Sequence, residues 1–475
     1  MAGGLPLGVG SRTDGRMQPG FTRPWPAHAR ETIGMAAPIA VAQLGQMAMG
    51  LTDSVMLGRV GANALAAGGL GANFFFTCLI CFQGVVSGVA VLAARARGAG
   101  QVAEVPAAYW SGLLIAAVLS VPYFWLMSTP LPLLRLVGET PGLAADIAAY
   151  LHVLRWGVPA GLLGIGIVRA FLPAVGLQHL MLWVMPAGIV TNAVLNVWFI
   201  YGGLGLPAFG MRGSAAATAT TLWLTAGALL LLLHGARHRH HVRLTVPRRH
   251  VVAELLAIGV PVGMTVFVEA ALFLATGLVV GVLGPVQLAG HQVALMTASV
   301  TFMVPLAVSQ AANVRVAHAM GAGEPADARR AGFAALAVSA AFMGCAAIAM
   351  ETVPRTIAGA FLGAGSAAFP VAASLLRVAG AFQLVDGLQV TAAGALRGLK
   401  DTRVPMVLAA FGYWGIGFWL GRALAFTGGL GAVGLWWGLF AGLATSAMCL
   451  TTRFAWRTRG SSVDPLPLRY GRTET

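Results

Sequence analysis

Twelve apolar stretches, most of them 22 residues or longer and nearly free of charge, leave this chain little choice of where to fold. The first six lie at about residues 33–57, 64–94, 106–128, 143–170, 180–202 and 212–234; the second six at 251–282, 287–317, 329–352, 367–397, 404–425 and 432–454. A bilayer core needs roughly 20 apolar residues per helical crossing, and only helices or closed barrels satisfy the backbone there. Runs of this length predict helices. With 58% hydrophobic and 9% charged residues, against roughly 25% charge in soluble domains, the fold class is an all-α polytopic membrane protein. The net charge of +15 sits in short loops and tails, which is the pattern of membrane topology and not of nucleic-acid binding.

The longest polar interruption is RHRHHVRLTVPRRH, residues 237–250. It divides the chain into a basic tail (1–32), an N-lobe of six spans (33–236), the linker itself, a C-lobe of six spans (251–455) and a second tail (456–475). Counting Lys and Arg by side puts 23 of the 30 with the tails, the linker, Arg169 and the loops after spans two, eight and ten. The exceptions are Arg59, Arg135, Arg155, Arg212, Arg355, Arg377 and Arg422. By the positive-inside rule both termini and the linker are cytoplasmic, which suits a bacterial plasma (inner) membrane protein. Residues 1–30 hold no apolar core for a secretory signal and read as a disordered tail. The linker histidines, His238, His240, His241 and His250, have no carboxylates beside them and read as a solvated loop, with no metal site. Cys78, Cys81, Cys345 and Cys449 all fall inside apolar runs and read as small packing residues.

The two halves repeat at an offset of 223. Pro38 corresponds to Pro261, Gly58 to Gly281, Gly61 to Gly284, Leu65 to Leu288, and Gly98-Ala99-Gly100 to Gly321-Ala322-Gly323. Because each half has an even number of spans, both enter the membrane from the same side. Such parallel repeats are related by a pseudo-two-fold axis along the membrane normal and flank a midplane cavity. Alternating access is the motion this predicts.

Acids inside a span cost roughly 2.5–3.5 kcal/mol each near the helix centre, so they mark function. Of fifteen, three lie well inside spans: Asp53, Glu269 and Asp386. The repeat maps Glu269 onto Gln46 and Asp53 onto Thr276, so the acids are not duplicated scaffold. The C-lobe has a carboxylate pair, with Gln383 and Gln389 three residues either side of Asp386. The N-lobe has Asp53 with Asn192 and Asn196, which share a helix face at i,i+4 spacing. Interhelical hydrogen bonding alone also accounts for amides of this kind.

Here the sequence resembles a known family. The segments PIAVAQLGQMAMGLTDSVMLGRVG, LNVWFIYGGLGLP, GSAAAT, GVPVGMTVFVEA, LAGHQVAL, FMVPLAVSQAANVRVAHAMGAGEPADARRA and DGLQVTAAGALRGLKDTRVPM resemble the multidrug and toxic compound extrusion (MATE) transporters, NorM-type branch, over about residues 33–455. The resemblance implies a V-shaped pair of six-helix lobes that exports organic cations and amphiphilic drugs in exchange for Na⁺ or H⁺. It implies cation coupling at Glu269 and Asp386, and an N-lobe polar, protonation and substrate site at Asp53, Asn192, Asn196 and Thr218. Gln46, Thr265, Gln383 and Phe302 are accessory positions; some relatives carry a tyrosine in the FMVP segment where this chain has Phe302. No resident cofactor, metal or enzymatic activity is expected. The partners are small drugs and membrane lipids, and the protein is expected to be a monomer.

A flippase for a lipid-linked saccharide is the alternative; it favours a strongly cationic cavity, whereas the acids here suit cationic cargo. A membrane enzyme lacks support in any catalytic set at a plausible depth, and a passive channel has no need of acids placed differently in two lobes. The topology is testable. With the four native cysteines replaced, a single cysteine at position 240 is expected to resist a membrane-impermeant maleimide applied outside intact cells, and to react once the membrane is opened. Labelling from outside reverses the orientation.

Overall fold

The structure is a computed structural model that describes residues 24–136, 140–203, 205, 207–235, 238–363 and 365–459. The first half folds as α1 (Trp25–Val60), α2 (Ala62–Val86), α3 (Gly88–Gly98), α4 (Val105–Ser128), a short α5 (Leu131–Leu136), α6 (Pro141–Leu154), α7 (Ile167–Val175), α8 (Met181–Tyr201) and α9 (Met211–His234). The second half has α10 (Arg249–Val282), α11 (Pro285–Gly321), α12 (Pro325–Thr352), a short α13 (Pro354–Gly359), α14 (Ala368–Gly398), α15 (Arg403–Ala410), α16 (Trp419–Arg422) and α17 (Gly431–Arg457). Eleven spans are apolar and continuous enough to cross a bilayer, counting α2 with α3 and α15 with α16 as single spans; α6 and α7 make a twelfth, bent by 42°. Two lobes of six spans result. The bend has a local cause: Pro159 cannot donate its backbone nitrogen, and Ala160–Gly166 winds as a π-helix, a common source of kinks. Gln83 Nε2 reaches across from α2 to donate to the Gly161 carbonyl in that wide turn, at 3.0 Å.

Two expectations need correction. The tail expected to be disordered through residue 30 is helical from Trp25, as the first turns of α1; residues 1–23 and 460–475, which hold the rest of the two tails, lie outside the described residues. The linker is not simply solvated either. Val242 is buried, and the Trp110 indole of α4 donates to the carbonyls of Val242 and Arg243, both at 3.2 Å. Burial there, then the neighbouring His240, Arg97 and His238, push His241 down to about 4, so this histidine is neutral at physiological pH.

The lobes meet on the side that holds the linker, the start of α1 and the end of α17. Helix α2 packs on α10, α1 on α11, and α3 on α11. The seam is built on glycine. A methyl at Gly98 overlaps the carbonyl oxygen of His318, and one at Gly321 overlaps that of Arg95. Shifted by 223, each contact becomes the other, as a two-fold axis requires. Further along, a methyl at Gly84 comes within 2.9 Å of the Gly263 Cα, and one at Gly259 overlaps the Val85 carbonyl. Among the described residues, every hydrogen bond or ion pair from one lobe to the other lies at this end. Arg315 of α11 donates to the His28 carbonyl at 2.7 Å, to Thr32 Oγ1 at 2.5 Å and to Glu31 at 2.8 Å, while His28 Nε2 stands 3.3 Å from Asp327. Arg248 pairs with Glu104 at 2.8 Å.

This seam predicts a conformational effect. With spin labels at the exposed, repeat-related positions Gln101 and Glu324, the double substitution Gly98→Val and Gly321→Val is expected to lengthen the inter-lobe distance measured by double electron–electron resonance. An unchanged distribution removes the glycine contacts from the closure.

Candidate functional site

The N-lobe residues singled out in the sequence do come together. Asp53 of α1 points into its own lobe, where α8 and α9 pack against it, and is 5% exposed. Asn196 Nδ2 donates to Asp53 Oδ1, and Thr218 Oγ1 donates to Asp53 Oδ2 at 2.9 Å. Asn196 also donates to Asn192 Oδ1 at 3.0 Å, so the i,i+4 amide pair works as a unit. Fully buried Tyr150 lies within electrostatic reach of the carboxylate, with its hydroxyl beside Ser214. Among the described residues no basic side chain bonds to Asp53, and neutral donors hold this carboxylate. At about 1.5 Å per residue, the site sits roughly 10 Å inside the end of α1 that lies away from the linker.

The C-lobe site is deeper. Glu269, near the middle of α10, is half-buried, and Asp386, near the middle of α14, is 5% exposed. The two lie within electrostatic reach of each other, and among the described residues no basic side chain bonds to either. Gln383, Asp386 and Gln389 recur every three residues, which brings them to one face of α14. Gln383 Nε2 donates to Thr301 Oγ1, the residue before Phe302. Thr265 spends its hydroxyl hydrogen on the Pro261 carbonyl, 2.8 Å away, leaving its lone pairs free to accept. Two like charges within reach of each other in a medium of low dielectric repel.

Arg169, counted on the linker side at the end of the stretch 143–170, stands inside α7, half-buried, and donates to Gln46 Oε1 at 3.0 Å. The N-lobe counterpart of Glu269 is thus an amide bonded to a cation, and the two lobes differ in charge at these repeat-related positions. Gln46 also lines a narrow N-lobe cleft with Met49, Gln83, Met185, Ile189 and Thr225. The four cysteines are free, and among the described residues no three His, Cys, Asp or Glu side chains gather closely enough to hold a metal.

A family model described as MatE matches residues 38–198 and again 261–421, and both ends of the second match lie 223 residues beyond those of the first. The chain belongs to the MatE family. Its relatives include a "Multidrug resistance protein NorM" from Burkholderia vietnamiensis, 52% identical over 91% of this chain and 94% of that protein. A "Probable multidrug resistance protein NorM" from Rhizobium meliloti is 35% identical over 93% and 96%. Among solved structures, a eukaryotic MATE transporter superposes with a TM-score of 0.83 over 92% of this chain and 98% of that one, at 19% identity. An outward-facing multidrug resistance MATE family transporter gives 0.83 over 92% and 97%, also at 19%. These likenesses show a MatE fold, and the double match shows that its two lobes are copies of one unit.

In this MatE chain the hydrogen bonds to Asp53 carry a stability prediction. A charge-assisted bond is worth about 1.5–3 kcal/mol, so Thr218→Val is expected to lower the melting temperature of the detergent-solubilised protein by several degrees. Thr218→Ser retains the hydroxyl and is expected to restore most of the loss; equal melting of Val and wild-type forms removes the bond from the ledger.

Proposed function

We propose that the protein is a secondary active multidrug efflux transporter of the plasma membrane, exporting organic cations and amphiphilic drugs by antiport with Na⁺ or H⁺ through alternating access. The observation that carries this reading is one acidic site inside each lobe of a MatE chain, with no basic partner bonded to the acids among the described residues. The names of its relatives support drug export. With the linker side taken as cytoplasmic, the Arg315 and Asp327 contacts to α1 close the inner mouth, and the sites are reached from outside.

In this scheme Glu269 and Asp386 bind the coupling ion. Loading the pair cancels its repulsion, and the change in charge is felt across the cavity where α10 and α2 meet. Asp53, held by Asn196 and Thr218, gives the N-lobe a second negative centre for cationic cargo, and protonating it weakens that hold. Na⁺ or H⁺ is here a transported substrate, so no resident cofactor enters the cycle.

The test is export of a fluorescent organic cation from proteoliposomes under separately imposed Na⁺ and H⁺ gradients; transport under neither gradient defeats the reading. Glu269→Gln and Asp386→Asn are each expected to reduce gradient-driven export at least tenfold while the protein elutes as before. Wild-type rates in both overturn the coupling role. Asp53→Asn keeps most hydrogen-bonding capacity but removes the charge. Unaltered rate and pH dependence in that variant leave the N-lobe cluster a purely structural role.

A further inference from the structure

Several buried polar oxygens around the C-lobe carboxylates have no hydrogen-bond partner among the described residues: Asp386 Oδ1, Gln383 Oε1, Gln389 Oε1 and the Tyr413 hydroxyl. Leaving such a group unpaired costs about 1–3 kcal/mol. A cluster of them therefore asks for an occupant.

Tyr413 was not among the residues singled out from the sequence. It lies in the π-helical segment Phe411–Phe418, completely buried, with its hydroxyl beside the Gln389 amide and within electrostatic reach of both Glu269 and Asp386. Its place is fixed from two directions. The next residue, Trp414, donates its indole N–H to the Val268 carbonyl at 3.2 Å, one residue before Glu269. The preceding residue, Gly412, presses so closely on α17 that a methyl there overlaps Ser446 Oγ and comes within 2.7 Å of the Gly442 carbonyl. A π-turn inserts a residue into the helix and is often found at functional positions. One residue of register is about 100° of rotation, so a regular helix through the same anchors aims Tyr413 elsewhere.

We infer that the Tyr413 hydroxyl and the Gln389 amide oxygen are specificity-determining ligands that complete an oxygen shell for an alkali cation held between Glu269 and Asp386. The inference rests on the antiport reading above. A proton needs one acceptor, whereas a dehydrated hard cation needs several oxygens to replace its water. Two carboxylates and two neutral oxygens from three helices meet that need.

The test is ²²Na⁺ binding to the purified protein in detergent at fixed pH, alongside binding of a fluorescent organic cation without Na⁺. Tyr413→Phe removes only the oxygen and is expected to raise the Na⁺ half-saturation concentration at least tenfold, with dye affinity and melting temperature within error of wild type. Gln389→Met serves the same purpose on the amide and keeps the question decidable should the tyrosine variant fold poorly. Wild-type Na⁺ affinity in both variants, with Asp386→Asn abolishing binding, overturns the inference and leaves the antiport reading intact. Absence of saturable Na⁺ binding in the wild type also overturns it, and the H⁺-gradient arm of the proteoliposome assay then decides antiport by itself.

Discussion

A bilayer offers no water to a polar group, so each carboxylate, amide and guanidinium within the spans must be met by another part of the protein or by something carried through it. That constraint orders the structure. Asp53 is met by Asn196 and Thr218 from two other helices, which ties α1 to α8 and α9. Arg169 is met by Gln46, which ties α7 to α1. Glu269 and Asp386 are met by each other, an arrangement that does not neutralise them. Neutral donors hold the N-lobe carboxylate, whereas the C-lobe sets two like charges within reach of each other.

The repeat makes the asymmetry sharper. Glycine contacts at Gly98 and Gly321 obey the two-fold axis closely, and the short helices α5 and α13 begin at positions 131 and 354, again 223 apart. The packing frame is duplicated while the chemistry is not. The wide turns differ as well: one interrupts the fourth span of the N-lobe at Ala160–Gly166, and the others fall in the fifth span of the C-lobe at Phe411–Phe418 and Ala423–Thr427.

Much of this was readable from residue order. Spans announce themselves by length and apolarity, and lone acids within them by their cost. Asn192 and Asn196 were recognisable as a pair from helical spacing, and the structure sets both against Asp53. The bond of Arg169 to Gln46 was not, because a basic residue at the soft end of an apolar run reads as one that reaches for water, and its partner is 123 positions away. Tyr413 escaped because its orientation depends on a π-turn, and periodicity arguments assume a constant 3.6 residues per turn. The contacts of His28 and Glu31 escaped because a short basic tail gives no hint that Arg315, nearly 290 residues later, will draw its last turns into a helix.

Arg315 also bears on how the protein rests between turns of its cycle. Its bonds to His28, Thr32 and Glu31 are individually strong, yet when the lobes part at that end the same groups meet water, so the net difference is far smaller than their sum. Closure on the linker side is therefore a bias and not a lock. Shifting a two-state balance from 1:99 to 99:1 takes about 5.5 kcal/mol of differential binding, and a more even starting ratio takes less. Because these polar contacts are exchangeable with water, they add only a modest bias to a seam whose close packing rests on glycine.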